Sequence, residues 1–247
     1  MPDRSNEPRF LDPVLGVVFD LDGTLVLSNH DFGRIRAEVI RLAERHGVTP
    51  GHLSVRDPVH RIVENAREEM RVHGLPDGAL WRFEAEYQKA IDAIELEALP
   101  RTVARPGAGP LLQSLQTRGF RLGVLTRSSE SFARAALQRP RLGAYFPYQR
   151  SRSSPGPAKP SPEALLLLLQ EMGVPRDRAL FVGDHLIDTE CAIAARVRFY
   201  GLLPDPSETA NAGMTADRFI SGGATAVARD LSELARQLGE TPAAHAA

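Results

Sequence analysis

The sequence has very little that would tie the protein to the cell exterior, a membrane or nucleic acid. A single cysteine, Cys191, excludes a disulfide within the chain and fits a reducing compartment. The longest strongly apolar run, residues 164–169, is far shorter than the roughly 20 residues that cross a bilayer. The opening residues lack the apolar centre of a signal peptide. Net charge is −1, which gives no attraction to nucleic acid or an anionic membrane. We therefore expect a soluble, cytoplasmic protein that binds neither.

What the sequence does contain is a series of short apolar runs, each followed by an amphipathic segment. Such runs are typical of strands buried on both faces of a parallel sheet, and the alternation predicts a doubly wound α/β fold. The predicted strands cover residues 14–20, 120–126, 179–184, 197–202 and, with a weaker pattern, 216–220. The predicted helices cover residues 109–118, 129–138, 162–172, 186–195 and 224–238, and a loop is predicted over 149–157.

Residues 28–104 interrupt this alternation. Their apolar residues recur at helical spacing and no strand pattern is present, which predicts three or four helices in a separate small module. The core would then comprise residues 1–27 and 105–247, with Arg105-Pro106-Gly107 marking the return of the chain. Residues 1–12 and the alanine-rich tail after Gly239 are predicted to be loose termini.

Polar residues end the best predicted strands, at Asp20, Thr126 and Asp184. In an open α/β sheet, ligands bind at the carboxyl ends of the strands, so these side chains are candidates for one site. Asp20 and Asp22 are separated by one residue and followed by Gly23, which permits a tight turn. One carboxylate can attack phosphorus to form an acyl phosphate while the other moves the proton. A plain Asp-Gly turn is the alternative.

Asp184 and Asp188 are four residues apart and would share one face of a helix. Several carboxylates beside a phosphate would repel it, and a hard divalent cation with oxygen ligands relieves that repulsion. We therefore predict a Mg²⁺ site in which Asp20 and Asp184 are direct ligands and Asp188 binds directly or through water. Helix capping by Asp184, with Asp188 stabilising the helix dipole, is the alternative.

A phosphate would find further partners close to these acids. The Thr126 hydroxyl and the amides after it precede a predicted helix, whose N-terminus favours anions. The amides around Gly23 could cradle phosphoryl oxygens. Lys159, between Ala158 and Pro160, could neutralise the phosphate and the attacking carboxylate. Capping by Thr126 and a solvated Lys159 are the ordinary alternatives.

In this order and spacing, the residues resemble the motifs of the haloacid dehalogenase-like superfamily of hydrolases. The resemblance is carried by Asp20-Leu21-Asp22-Gly23-Thr24, by Thr126, by Lys159, and by Gly183-Asp184 with Asp188. It spans residues 14–188 and is greatest to phosphoglycolate-phosphatase-like members. The module at 28–104 resembles the α-helical cap of the first type found in this superfamily, and the core would be Rossmann-like with its first strand central.

The resemblance implies a magnesium-dependent phosphatase that acts on a small phosphomonoester. Asp20 would be the nucleophile and Asp22 the general acid and base. Thr126 and Lys159 would hold the phosphoryl group, and Asp184 would anchor Mg²⁺ with Asp188 and the backbone carbonyl of Asp22.

Two other activities stay open at this stage. A sugar-phosphate mutase of the β-phosphoglucomutase kind shares every motif above, and a non-catalytic phosphate-binding regulatory protein could keep them. Dehalogenating relatives generally lack the second acid, so Asp22 favours phosphorus chemistry. One departure stands out, because Arg127 follows Thr126 where many relatives carry Asn or Gly; it would add a guanidinium to the phosphate site or point to solvent. The sequence decides neither the substrate nor the oligomeric state.

Overall fold

The computed structural model of the protein describes residues 14–205, 207 and 213–239. The chain divides into two compact units, one formed by Met1–Ser28 with Arg101–Ala247 and the other by Asn29–Pro100. The termini predicted to be loose, residues 1–12 and those after Gly239, lie outside the described residues. That the smaller unit acts as a cap stays a prediction.

The larger unit is built on a six-stranded sheet in which every neighbouring pair is parallel. In chain order the described strands are β1 (Gly16–Phe19), β2 (Val26–Leu27), β3 (Val103–Ala104), β4 (Arg121–Leu125), β5 (Tyr148–Arg150), β6 (Ala179–Gly183), β7 (Arg198–Leu202) and β8 (Ala226–Ala228). The sheet order is β5-β4-β1-β6-β7-β8, while β2 and β3 form a separate antiparallel pair. This order confirms the predicted doubly wound, Rossmann-like fold, with β1 in the interior of the sheet.

Helices cover the sheet and make up the smaller unit. The described helices are α1 (Phe32–Arg45), α2 (Val59–Val72), α3 (Asp77–Ala98), α4 (Ala108–Thr117), α5 (Glu130–Gln138), α6 (Pro162–Met172), α7 (Leu186–Ala195), α8 (Ala216–Ser221) and α9 (Leu231–Gln237). In the described part of the chain, no helix combines the length and apolar character needed to span a membrane.

The smaller unit consists of α1, α2 and α3 around their own apolar core. Asp31 caps α1 by accepting a hydrogen bond from the backbone N–H of Arg34 at 2.8 Å. The other two helices begin directly after Pro58 and Pro76, whose fixed φ suits a helix start. Apolar side chains from all three helices, such as Val39, Ile62 and Phe83, are fully buried.

The last part of the sheet differs from the sequence prediction. Residues 216–220, predicted as a strand, lie in α8, which Thr215 caps by accepting a hydrogen bond from the N–H of Arg218. Residues 224–238, predicted as one helix, hold both β8 and α9. Alanine favours helix, yet Ala226–Ala228 pairs with β7 at the sheet edge, so tertiary pairing overrides local propensity. The strand β5 was missed, and it takes residues 149 and 150 out of the predicted loop.

The leucine run in α6 provides a test of how the core is packed. Leu168 is fully buried in the core between α6, α7 and the sheet, whereas Leu166 in the same helix is 37% exposed. We predict that Leu168→Ala lowers the free energy of unfolding by about 2–5 kcal/mol, because it leaves a cavity as well as removing buried apolar surface.

The matched variant Leu166→Ala should cost clearly less, about 1 kcal/mol, since more than a third of its surface is already exposed to solvent. Urea unfolding curves for both variants measure the difference. Equal losses would show that the α6 face is not buried as described.

Candidate active site

Two neighbouring strands deliver two carboxylates to the same edge of the sheet. Asp20 directly follows β1 and Asp184 directly follows β6, and the two strands are paired in parallel with Phe19 opposite Val182. The backbone N–H of Asp20 extends this ladder by donating to the carbonyl of Val182 at 2.9 Å. With Asp188 from the first turn of α7, these acids form a buried cluster in which one carboxylate oxygen from each lies within 4.8 Å of the others.

Lys159 supplies a positive charge to this cluster. Its Nζ donates to Asp20 Oδ1 at 2.6 Å and to Asp188 Oδ1 at 2.7 Å, and the side chain is almost completely buried. Burial alone would lower the pKa of the ammonium, but Asp188 and Asp20 outweigh it, so the pKa of Lys159 is raised. The lysine therefore stays charged and bridges two acids that would otherwise repel each other.

One ammonium does not compensate two buried carboxylates. Burial raises the pKa of Asp20, the Lys159 charge lowers it, and the Asp188 charge raises it again, which leaves the pKa of Asp20 above its ordinary value. The Asp188 carboxylate is also held at its other oxygen, where Oδ2 accepts a hydrogen bond from the backbone N–H of His185 at 3.1 Å. The cluster thus retains negative charge, which a cation would stabilise.

His185 also decides how α7 begins. Its Nδ1 accepts a hydrogen bond from the backbone N–H of Ile187 at 3.1 Å, and His185 is the N-cap residue of the helix. The alternative reading in which Asp184 caps this helix is therefore wrong. Asp184 instead accepts a hydrogen bond from Thr24 Oγ1 at 2.7 Å.

Asp22 lies on the loop after β1 and has a different environment. Its Oδ1 accepts hydrogen bonds from the backbone N–H of Ser28 at 3.1 Å and from Ser28 Oγ at 2.5 Å. Desolvation raises the pKa of Asp22 to about 6, and the bonds from Ser28 oppose that rise. A carboxyl group in this range can both give and take a proton near neutral pH.

Glycine is required where the backbone passes close to the acids. Gly23 has a φ of +87°, and a Cβ there would lie 2.7 Å from Cγ of Asp184. Gly183 is similar, because a Cβ at that position would lie 2.6 Å from Cγ of Asp188. Both distances are far below a normal van der Waals contact, so the acids pack directly against the bare backbone.

Two of the predicted phosphate-binding residues, Thr126 and Arg127, directly follow β4, the strand that neighbours β1. Thr126 is buried, and its Oγ1 accepts a hydrogen bond from the backbone N–H of Ser128 at 3.1 Å. Arg127 is half-buried and its Nη1 donates to the backbone carbonyl of Lys159 at 3.1 Å, so it contacts the loop that carries the lysine. Binding of phosphate by Thr126, Arg127 and Lys159 stays a prediction. The Gly23 amide, also predicted to bind phosphate, instead donates to the carbonyl of Val26 at 2.8 Å.

Several residues that shape the site were not singled out by the sequence. Thr24 belongs to the first motif, and its hydroxyl next to the paired acids could have indicated a hydrogen bond within the site. Ser28 and His185 gave none, because their hydrogen bonds depend on how the loop and the helix start are folded. Arg105 was read only as part of the hinge, although its guanidinium hydrogen-bonds the backbone carbonyl of Gly23.

The comparison with known proteins identifies the family to which the chain belongs. Residues 14–196 match the haloacid dehalogenase-like hydrolase family. The chain belongs to this family. It is similar to the phosphoglycolate phosphatases of Pseudomonas putida, at 31% identity over 192 residues, and Pseudomonas fluorescens, at 32% over 196 residues. Each alignment covers 75% of this chain and 68% of the relative.

Among solved structures, a haloacid dehalogenase family hydrolase from Deinococcus radiodurans, determined with bound phosphate and sodium, has a similar fold. Its TM-score is 0.60 at 21% identity, and the match covers 94% of this chain and 99% of that one. That likeness concerns the fold. The family match makes the chain a hydrolase, and its Pseudomonas relatives identify it as a phosphatase, as the sequence resemblance implied.

The close approach of Gly23 to Asp184 generates a prediction. Gly23→Ala would strain a positive φ and push a methyl group into the Asp184 carboxylate. We expect it to lower the free energy of unfolding by about 1–2 kcal/mol or more and to remove most of the phosphatase activity.

Gly119 is a matched control, because its φ is +84° and a Cβ there would meet nothing within 4 Å. Gly119→Ala should lower the free energy of unfolding, measured in urea, through the same strain at a positive φ, and it should keep the phosphatase activity. If the two variants lost activity equally, contact with Asp184 would not be the cause.

Proposed function

We propose that the protein is a magnesium-dependent phosphatase that hydrolyses a small phosphomonoester through an acyl phosphate formed on Asp20. The observation that carries the proposal is the Asp20 carboxylate itself. It is buried at the end of β1, bridged by the Lys159 ammonium at 2.6 Å, and grouped with the oxygens of Asp184 and Asp188. A carboxylate with a positive neighbour and a cation site beside it is suited to attack a phosphate, whose own charge would otherwise repel it.

The first step transfers the phosphoryl group to the protein. An oxygen of Asp20 forms a bond to phosphorus as the bond from phosphorus to the ester oxygen breaks. Asp22, in its protonated form, gives its proton to the departing alkoxide. Ser28 supports this role because its two hydrogen bonds fix the Asp22 carboxyl group.

The second step returns Asp20 to its starting state. Water attacks phosphorus, Asp22 takes the proton from the water, and the bond from phosphorus to the Asp20 oxygen breaks to release phosphate. Lys159 stays beside Asp20 in both steps and offsets negative charge. Thr126 is assigned to the phosphoryl oxygens, with Arg127 near the lysine loop, whereas the Gly23 N–H already donates to the carbonyl of Val26 at 2.8 Å.

The acidic cluster is the proposed Mg²⁺ site. Its donors are all oxygens, they are buried, and one from each acid lies within 4.8 Å of the rest, which suits a hard cation. Asp20, Asp184, Asp188 and the backbone carbonyl of Asp22 would hold the ion. When bound, Mg²⁺ supplies positive charge that stabilises the carboxylates and the phosphate together.

The relatives suggest which ester to test first. Two Pseudomonas proteins that are about a third identical to this chain are phosphoglycolate phosphatases. We propose 2-phosphoglycolate, a short anionic phosphate ester, as the first candidate substrate.

The test is release of inorganic phosphate by the full chain from p-nitrophenyl phosphate, 2-phosphoglycolate and a panel of sugar phosphates. We expect turnover with Mg²⁺ that is lost when EDTA is added and restored by excess Mg²⁺. The absence of metal-dependent turnover on every ester would contradict the proposal. Interconversion of sugar phosphates with a bisphosphate activator and little free phosphate would identify a mutase instead.

The nucleophile assignment has its own test. Asp20→Asn should lower kcat by roughly 10⁴-fold or more, because an amide does not replace a carboxylate as nucleophile. Far-ultraviolet circular dichroism should show an unchanged fold.

Asp177→Asn serves as the control, since Asp177 is exposed in the turn that precedes β6, at the opposite end of that strand from Asp184. It should keep wild-type kcat. Substantial activity in Asp20→Asn would exclude Asp20 as the nucleophile.

A further inference from the structure

Arg105 is a buried arginine that follows β3 directly, and only 3% of its surface is exposed. A guanidinium carries five N–H donors in a planar fork, and burying it is costly unless those donors find acceptors. The backbone carbonyls that accept hydrogen bonds from Arg105 therefore indicate its role.

Arg105 contacts the nucleophile loop, residues 20–25, at two points. Its Nη1 donates to the carbonyl of Gly23, and its backbone N–H donates to the carbonyl of Leu25 at 2.9 Å. From the other side of the fork, Nη2 donates to the carbonyl of Leu203 at 2.6 Å, one residue beyond β7. One side chain thus ties the nucleophile loop to the end of a strand that is not its neighbour in the sheet.

The position of the Gly23 peptide affects two residues of the site. Gly23 lies between Asp22, the proposed acid and base, and Thr24, whose hydroxyl donates to Asp184. The Gly23 Cα also approaches Asp184 so closely that it has no room for a methyl group. A rotation of this peptide would displace Asp22 on one side and Thr24 on the other.

We infer that Arg105 is a positioning residue for the reaction, which fixes the nucleophile loop so that Asp22 and Asp184 keep their places relative to Asp20. This inference rests on the proposed function. Lysine would keep the charge at this position but lacks the planar fork that reaches two carbonyls at once. The two carbonyl contacts therefore depend on the planar shape of the guanidinium.

The kinetic test compares Arg105→Ala and Arg105→Lys with the wild type. We expect Arg105→Ala to lower kcat by about 100-fold with KM changed much less, because a small misplacement of reacting groups costs about that much. Arg105→Lys should restore little of the loss. Methylguanidinium added at millimolar concentration should restore part of the kcat of Arg105→Ala, which a general loss of stability would not allow.

Arg121 provides the control variant. It is an exposed arginine of the same unit whose Nη1 also donates to two backbone carbonyls, those of Met172 and Gly173, each at 2.8 Å. It is the first residue of β4, so it lies at the amino ends of the parallel strands, whereas the acids lie at their carboxyl ends. Arg121→Ala should keep kcat and show no response to methylguanidinium.

A second measurement does not depend on finding the substrate. Three N–H groups in and next to this loop are hydrogen-bonded. The N–H of Gly23 donates to the carbonyl of Val26, and the N–H groups of Leu25 and Val26 both donate to the carbonyl of Leu21. Hydrogen exchange of peptides that cover this loop should become about tenfold faster or more in Arg105→Ala, and should be unchanged in Arg121→Ala.

The outcomes separate this inference from the proposed function. If wild type releases no phosphate from any ester, the proposed function fails, while exchange still decides whether Arg105 holds the loop. An active wild type in which Arg105→Ala keeps full kcat, or in which loop exchange is unchanged, overturns the inference. A fall in kcat of the same size in Arg121→Ala would also overturn it, because the loss would then be one of general stability.

Discussion

The site depends on one interaction, the Lys159 ammonium held between the carboxylates of Asp20 and Asp188. Burying charges is unfavourable unless they are paired, and here buried carboxylates lie within 4.8 Å of one another. The lysine stabilises that group only in part, so the negative charge that remains favours a cation. Other contacts keep the bridge in place, since Arg127 hydrogen-bonds the peptide of Lys159 and the His185 amide hydrogen-bonds Asp188.

The parallel pairing of β1 with β6 explains why these groups meet. Asp20 and Asp184 each follow a strand that is buried on both faces, so the sheet register rather than the loops sets their separation. So close an approach requires glycine at two positions. Gly23 and Gly183 both lie against a carboxylate that leaves no space for a Cβ. The acids are therefore closely packed against the backbone at this end of the strands.

The sequence predicted those parts of the fold whose pattern is repeated over many buried residues. The strand before Asp20 and the helix at Pro162–Met172 were predicted because they carry continuous apolar runs or clear periodicity. Residues 216–238 were assigned the wrong elements, because α8 buries one side chain, Phe219, and β8 is a three-residue strand at the sheet edge. The bond from Thr24 to Asp184 joins residues 160 positions apart, and no local pattern reports such a contact.

The choice between hydrolase and mutase turns on the second step rather than the first. Both reactions would place the phosphoryl group on Asp20, and Lys159 and the acids would assist both equally. They differ in which hydroxyl then attacks phosphorus, water or a sugar, and Asp22 would take the proton from either. The contacts of Asp22 with Ser28 fix its carboxyl group without selecting between those nucleophiles. The distinction would therefore come from the residues that control access of water to Asp22, whereas the proposed transfer of the phosphoryl group depends on the residues that surround Asp20.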